Sequence, residues 1–319
     1  MRKQPASRVE RSHVSSGIVV PMTLPNLVIA GAPKCGTTSL FSWLTAHPDV
    51  CGARVKETQF LLDPDDPLFK EKSNFRDHGL DGYRSYFSHC GSAPIVVEAT
   101  PTYLYQETAL EVLASLHPLP QIIFVLRKPS ERVYSHYQFI RNNHLVLDPA
   151  LSFRDFVALA KVRDSRLPTR AHAREIVAQS RYIDYLEPWA SRFPRSHLHI
   201  FLFEQLARSK SPFMRAVAQR IGIDPGFYDC YDYPRENETY RVRFRRLHRT
   251  RKRVARQLSP QLRATLKGML EGGYSRLNLT KGADRTSDET EVLLELDREF
   301  VPYNKSLASE MAIDLTLWS

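Results

Sequence analysis

Residues Leu27 to Leu40 read LVIAGAPKCGTTSL. A short apolar run leads into a turn from Gly31 to Gly36 that holds Pro33, Lys34 and Cys35, and a helix-forming stretch opens at Thr37, Thr38 and Ser39. Two glycines let the backbone wrap inward so that successive N–H groups face one spot, and the positive end of the following helix adds to their field. Such a turn cradles phosphate. The nucleoside-triphosphatase loop GxxxxGK[ST] places its lysine after the second glycine, whereas here Lys34 precedes Gly36 by two and Thr37 follows it. Those enzymes also carry a magnesium-holding Asp at the end of a second strand, but here the run IIFVL ends in Arg127 and the run IVV ends in Glu98. A cation-lined cradle without that Asp suits transfer of a group that needs no metal. The bland alternative is a glycine turn with a surface lysine.

The second constellation is LRKPSERVYSHY, Leu126 to Tyr137. Arg127 leaves an apolar strand, Pro129 sits at the first position of a helix, and Arg132 and Ser135 follow at near-helical spacing. Arg127, by charge and fork geometry, and Ser135, by its hydroxyl, form a grip for a second phosphate.

These residues need elements to position them. The apolar, β-branched runs Leu27 to Ala30, Ile95 to Val97, Ile122 to Leu126 and Leu198 to Phe203 are too short for helices and too uniformly apolar for half-exposed strands, so they predict buried parallel strands. A further short strand is read around Asp49 to Ala53. Helix-period segments lie between and after them: Thr37 to Ala46, Thr108 to His117, Glu131 to Asn142, Ser152 to Val162 and Ile176 to Phe193. The alternation predicts an α/β fold: a P-loop-type parallel sheet of four or five strands with helices on both faces. From Glu204 onward the chain reads as mostly helical, including Gln261 to Glu271 and Ser287 to Phe300. Residues 1–25 read as a mobile polar arm and 26–319 as one domain with a helical C-terminal extension.

Composition sets the outer limits. In 319 residues, 42% apolar and 25% charged, there is material for a sizeable core, and disorder, collagen and coiled coil are excluded. The formal charge of +10 is concentrated from Arg241 to Arg256, where nine Lys/Arg occur without an acid. That stretch is read as a solvated helical face or as an attractor for an anionic acceptor such as a polysaccharide or acidic carrier protein. Nucleic acid is disfavoured, because Phe244 is the lone aromatic within it and no nucleic-acid module signature is present. Cys35, Cys51, Cys90 and Cys230 form no CxxC pair and no Cys/His spacing of a metal site, so neither a zinc site nor a disulfide framework is expected and a reducing compartment fits best. With no apolar run able to span a membrane and no apolar signal segment, a cytoplasmic chain is expected.

PKCGTTSL, followed about 90 residues later by RKPSERVYSHY, resembles the two signature segments of sulfotransferases that use 3′-phosphoadenosine 5′-phosphosulfate. VKETQFLLD and VEATPTYLY resemble the base and substrate-loop segments of the heparan/glycan branch, which includes the N-deacetylase/N-sulfotransferases and 3-O-sulfotransferases. The stretch TKGADRTSDETEVLLELDREFVPYNKSLASEMAIDLTLW resembles their C-terminal cofactor loop and closing helix. The resemblance implies that Pro33, Lys34, Cys35, Gly36, Thr37, Thr38 and Ser39 bind the 5′-phosphosulfate side, Arg127 and Ser135 the 3′-phosphate, and Lys281 and Gly282 the late cofactor loop. It departs from the family at Ala283, where the loop usually has Arg, and at Ala99, where a Lys is frequent.

Sulfuryl transfer passes through a loose, in-line transition state, so fixed cations and N–H dipoles count most, and the acceptor must also lose a proton. Lys34 matches the family's lysine at the leaving oxygens. Glu57, just past the second strand and on the same carboxyl edge as the cradle, is the candidate base and matches the family's; a surface pairing with Lys56 or Arg54 is the alternative. Glu98 is the reserve. The cytosolic branch uses a His base shortly before the 3′-phosphate segment, but no His lies between Ile95 and Tyr105, and His136 is read as a helix-surface residue. The expected activity is sulfation of a carbohydrate hydroxyl or amine without a metal, leaving adenosine 3′,5′-bisphosphate. A small or lipid-like acceptor and a P-loop kinase are the alternatives.

Overall fold

Strand β1 (Leu27–Gly31) is buried along its whole length, which only a central strand covered on both faces permits. The computed structural model describes residues 23–144, 146–169, 172–234, 240–242, 279–281 and 285–319. Beside β1 lie β3 (Ile95–Glu98) and β4 (Gln121–Leu126), and outside them β2 (Val50–Gly52) and β5 (Leu198–Leu202). All neighbours are parallel in the order β2-β3-β1-β4-β5. The five expected strands are therefore present. The winding reverses between β1 and β4, which opens a crevice at their carboxyl ends.

Helices α1 (Thr37–Leu44), α3 (Glu107–Ser115), α4 (Pro129–Phe139) and α5 (Phe153–Lys161) fall where the apolar periodicity places them. Two differences have local causes. The stretch read from Ile176 is turn and 3-10 backbone up to Arg181, and the helix α6 runs from Tyr182 to Arg192. Helix α2 (Phe75–Arg84) was not expected because Gly79, at φ 53°, kinks it and Gly82 weakens its pattern; the Asn74 side chain starts it by accepting from the Asp77 N–H. Further on come α7 (Phe203–Arg208), α8 (Lys210–Ile221) and a long α9 (Ser287–Glu310), the last opened by a reciprocal Thr286/Glu289 capping box. A short antiparallel pair, β6 (Tyr240–Val242) and β7 (Leu279–Lys281), completes the described elements.

The main core fills both faces of the sheet, and a second apolar cluster joins α4 and α5 to Val292, Leu293, Leu296 and Phe300 of α9. Helix α4 is thus covered nearly all round. His136 is accordingly buried at 7% exposure rather than on the surface. Across the cluster, Arg154 of α5 pairs with Asp288, Glu291 and Glu295 on α9.

The cysteine reading is corrected. Cys51 on β2 and Cys90 are bonded to each other across 39 residues, and His89 Nε2 lies 3.6 Å from Cys51 Sγ. Spacing alone does not reveal a bridge between an edge strand and a distant turn, so the sequence concealed both the pairing and the Cys51/His89/Cys90 cluster. The bridge removes the ground on which a reducing compartment was read. Among the described residues no helix is long and apolar enough to cross a membrane. The segment Gln261 to Glu271, the whole of the basic stretch after Val242, and the arm up to residue 22 lie outside the described residues.

Candidate active site

The loop after β1 is shaped by two left-handed residues, Lys34 at φ 70° and Gly36 at φ 84°. At Gly36 a side chain is also excluded by space, since a Cβ would meet the Phe203 ring at 3.0 Å. Gly36 caps α1, so the first turn of that helix, with Thr37, Thr38 and Ser39, faces the loop. Thr37 and Cys35 are buried. The loop is fastened from below by Arg132 of α4, whose Nε donates to the Pro33 carbonyl at 3.0 Å. That guanidinium is fully buried and also donates to Ser180 Oγ at 2.7 Å and to the Tyr105 hydroxyl at 2.8 Å.

Lys34 and Arg127 follow the carboxyl ends of neighbouring strands and lie close enough for their charges to interact. Burial, and after it the neighbouring charge of Arg127, holds the Lys34 ammonium down at about 8, with Cys35 and Glu57 acting in the opposite sense. Its Nζ stands 3.7 Å from the centre of the Phe139 ring. Arg127 lies 4.8 Å above the Phe203 ring and donates to Glu131 Oε2 at 3.3 Å. Ser135, on the same helix as Glu131, is buried at 9% exposure. The two proposed grips therefore start from neighbouring strands, β1 and β4, and share one field.

Glu57 stands at the third corner. Its backbone is left-handed, φ 62°, and its N–H donates to the Ala99 carbonyl at 3.0 Å, which ties the loop after β2 to the end of β3. Its carboxylate pairs with Lys56 Nζ at 2.6 Å, and its charge acts on both Lys34 and Lys70. Glu57 thus has the lysine partner that the sequence offered as the alternative, and its charge also reaches the cradle lysine. Glu98 is different. It is fully buried, burial pushes it up to about 7, and its oxygens are taken up by the Thr58 hydroxyl at 3.0 Å and by the Thr100 hydroxyl and N–H at 2.5 and 3.1 Å. This arrangement makes Glu98 an anchor for the Glu57 loop.

A sulfotransferase-domain family model matches residues 24–262. The chain belongs to the sulfotransferase family. Its fold is that of a sulfotransferase from Alicyclobacillus acidocaldarius, with a TM-score of 0.64 at 22% identity over 93% of this chain and 99% of the other. Among curated proteins it is similar to human bifunctional heparan sulfate N-deacetylase/N-sulfotransferase 3, 28% identical over 209 residues, which is 64% of this chain and 23% of that protein. The Drosophila melanogaster bifunctional heparan sulfate N-deacetylase/N-sulfotransferase is 24% identical over 216 residues, 64% of this chain and 20% of the other. The chain thus spans less than a quarter of the length of these relatives.

Within this sulfotransferase, Lys281 ends strand β7 and Gly282 lies outside the described residues. Four residues past Lys281, Arg285 grips Glu131 with two nitrogens at 2.8 and 2.7 Å and lies 4.8 Å over the Tyr134 ring. Glu131 thereby joins Arg127 and Arg285 into one cluster. The sequence offered no signal for this pairing, which joins residues 154 apart. Tyr182 gave none either. Its buried hydroxyl donates to the Arg127 carbonyl at 2.8 Å and lies 3.8 Å from Cys35 Sγ, so one phenol touches both grips.

Proposed function

We propose that this sulfotransferase moves the sulfuryl group of 3′-phosphoadenosine 5′-phosphosulfate to a hydroxyl or amine of a carbohydrate acceptor. The carrying observation is that the Lys34 cradle and Arg127 leave the carboxyl ends of adjacent parallel strands with Phe203 packed against both Gly36 and the Arg127 guanidinium, while the Glu57 loop is tied to the end of β3 at the same edge. The donor set fits such a nucleotide: a helix N-terminus and Lys34 on one side, and two arginines around a single carboxylate on the other. When bound, the donor supplies an activated sulfuryl group on a phosphate leaving group.

The residues divide the work. Backbone N–H groups of the Lys34 to Ser39 turn, with the Thr37 and Thr38 hydroxyls, hold the 5′ side, and Arg127, Ser135 and Arg285 hold the 3′ side. Lys34 places a cation where the leaving oxygens gain negative charge, a preorganised stabilisation that a half-buried ammonium supplies better than a solvated one. Glu57 accepts the acceptor's proton at its carboxylate as nucleophilic attack proceeds. Thr58, Thr100 and Glu98 keep the Glu57 loop in register with β3.

A glycan acceptor is supported by the heparan sulfate relatives. Lys56 pairs with Glu57, and Lys34 and Lys70 lie within reach of its charge, a concentration of cations that suits an acceptor that is itself anionic. Two measurements test the reading. Adenosine 3′,5′-bisphosphate should raise the melting temperature while ATP with Mg²⁺ does not, and the reverse preference sinks the nucleotide assignment. Radiolabelled sulfate donor should label N-desulfated heparan fragments in preference to small phenols; labelling of phenols alone removes the glycan.

A further inference from the structure

Arg127 leaves β4 where the chain turns into α4, and its backbone is held there from two directions. The Tyr182 hydroxyl accepts from the Arg127 N–H at 3.3 Å and donates to the Arg127 carbonyl at 2.8 Å. One residue on, the Lys128 N–H donates to Glu204 Oε1 at 3.0 Å. Trp318 joins both clasps. Its indole N–H donates to Glu204 Oε2 at 2.9 Å, its ring centre lies 6.0 Å from that of Tyr182, and it is 5% exposed. Beside Glu204, Phe203 lies under the Arg127 guanidinium and against Gly36 of the cradle.

We propose that Glu204 and Trp318 are positioning residues for the second anion grip: the Glu204 carboxylate, oriented by the Trp318 indole, fixes the Arg127–Lys128 backbone so that Arg127 is aimed at the 3′-phosphate. The inference rests on the assignment of Arg127 to that phosphate. Neither residue belongs to the two phosphate-gripping segments, and Trp318 closes the C-terminal stretch. A carboxylate that accepts two N–H groups in a half-buried setting makes charge-assisted bonds, about twice as strong as neutral ones. It therefore holds the peptide between Arg127 and Lys128 more stiffly than a loop's own hydrogen bonds do. Stacking on Phe203 limits the guanidinium further, and a preorganised arginine binds more tightly because less motion is lost on binding.

Calorimetric titration of two nucleotides separates positioning from general stability. Adenosine 3′,5′-bisphosphate uses both grips, and adenosine 5′-phosphosulfate uses the first alone. Glu204→Ala should weaken the bisphosphate about tenfold or more. Glu204→Gln, which keeps an acceptor for the Lys128 N–H, should recover part of that loss. Trp318→Phe keeps a ring on Tyr182 but loses the donor, and should weaken the bisphosphate by roughly threefold. In all three, affinity for the 5′-phosphosulfate should stay within about twofold of wild type. Unchanged bisphosphate affinity in the Gln and Phe variants, or equal losses for both nucleotides, overturns the proposal even where the Ala variant does not fold. Wild-type protein that binds neither nucleotide overturns the Arg127 assignment and this proposal together, and it is recognised without any substitution.

Discussion

Lys34 and Glu57 both occupy left-handed backbone, a conformation that costs a side-chain-bearing residue about 1–3 kcal/mol and persists where surrounding contacts enforce it. Lys34 carries a second burden. Its ammonium is held at about 8, while an unfolded lysine titrates near 10.5. Between those values the unfolded chain binds more protons, so this group's contribution to stability rises with pH from about 8 to about 10.5, and below 8 its full desolvation cost is present. Lys34→Met should therefore raise the melting temperature at pH 7 while abolishing sulfuryl transfer; thermal scans and turnover on one sample check both. Wild-type turnover should fall as pH rises through 8, as the cation is lost. Nucleotide binding at pH 8 to 9 should take up a proton, which calorimetry in buffers of different ionisation enthalpy detects. Glu57→Gln should cost about 10²-fold or more in turnover with nucleotide affinity little changed. Unchanged turnover would move the base role elsewhere.

At the scale of elements, the chemistry depends on how α4 is attached to the loop after β1. Arg132 provides that attachment with one buried guanidinium shared among neutral acceptors, Pro33, Ser180 and Tyr105. Removing it leaves several buried acceptors unpaired. Arg132→Ala should lower unfolding stability by about 3 kcal/mol or more in a denaturant titration, and nucleotide affinity should fall with it because the cradle loses its lower support. A stability loss without an affinity loss would show that the loop holds its shape unaided. These elements were legible in the sequence to different degrees. Uniform apolar runs such as Ile122 to Leu126 declare a buried strand, and the periodicity of Phe153, Phe156, Val157 and Ala160 declares α5. Helix α2 was hidden by Gly79 and Gly82. Residues 176–181 carry helical spacing, yet tertiary contacts set them in turns, with the Ser180 hydroxyl accepting from Arg132.

For the whole molecule, the order β2-β3-β1-β4-β5 could be anticipated only as alternation, because pairing partners follow from winding and not from any one strand. The site was legible where glycine and cations had to be adjacent in sequence, as in Lys34 and Gly36. It was not legible where distant segments converge, as with Arg285 on Glu131, Tyr182 on Arg127 and Cys51 on Cys90. The last of these has a global consequence. A bridge closing a loop across 39 residues removes chain entropy from the unfolded state worth about 4 kcal/mol. Reduction or Cys51→Ser with Cys90→Ser should lower the denaturation midpoint accordingly. A midpoint indifferent to reductant would show that the bridge contributes nothing to stability.

A sheet in which every strand runs the same way has one working rim and one idle rim. The turns entering β3, β4 and β5 all lie on the idle rim, where Ser92, His117 and Ser196 are exposed. Spacers, affinity handles or attachment to a solid support are best placed at Ser196, because the cradle loop faces away from that side and stays open to solvent.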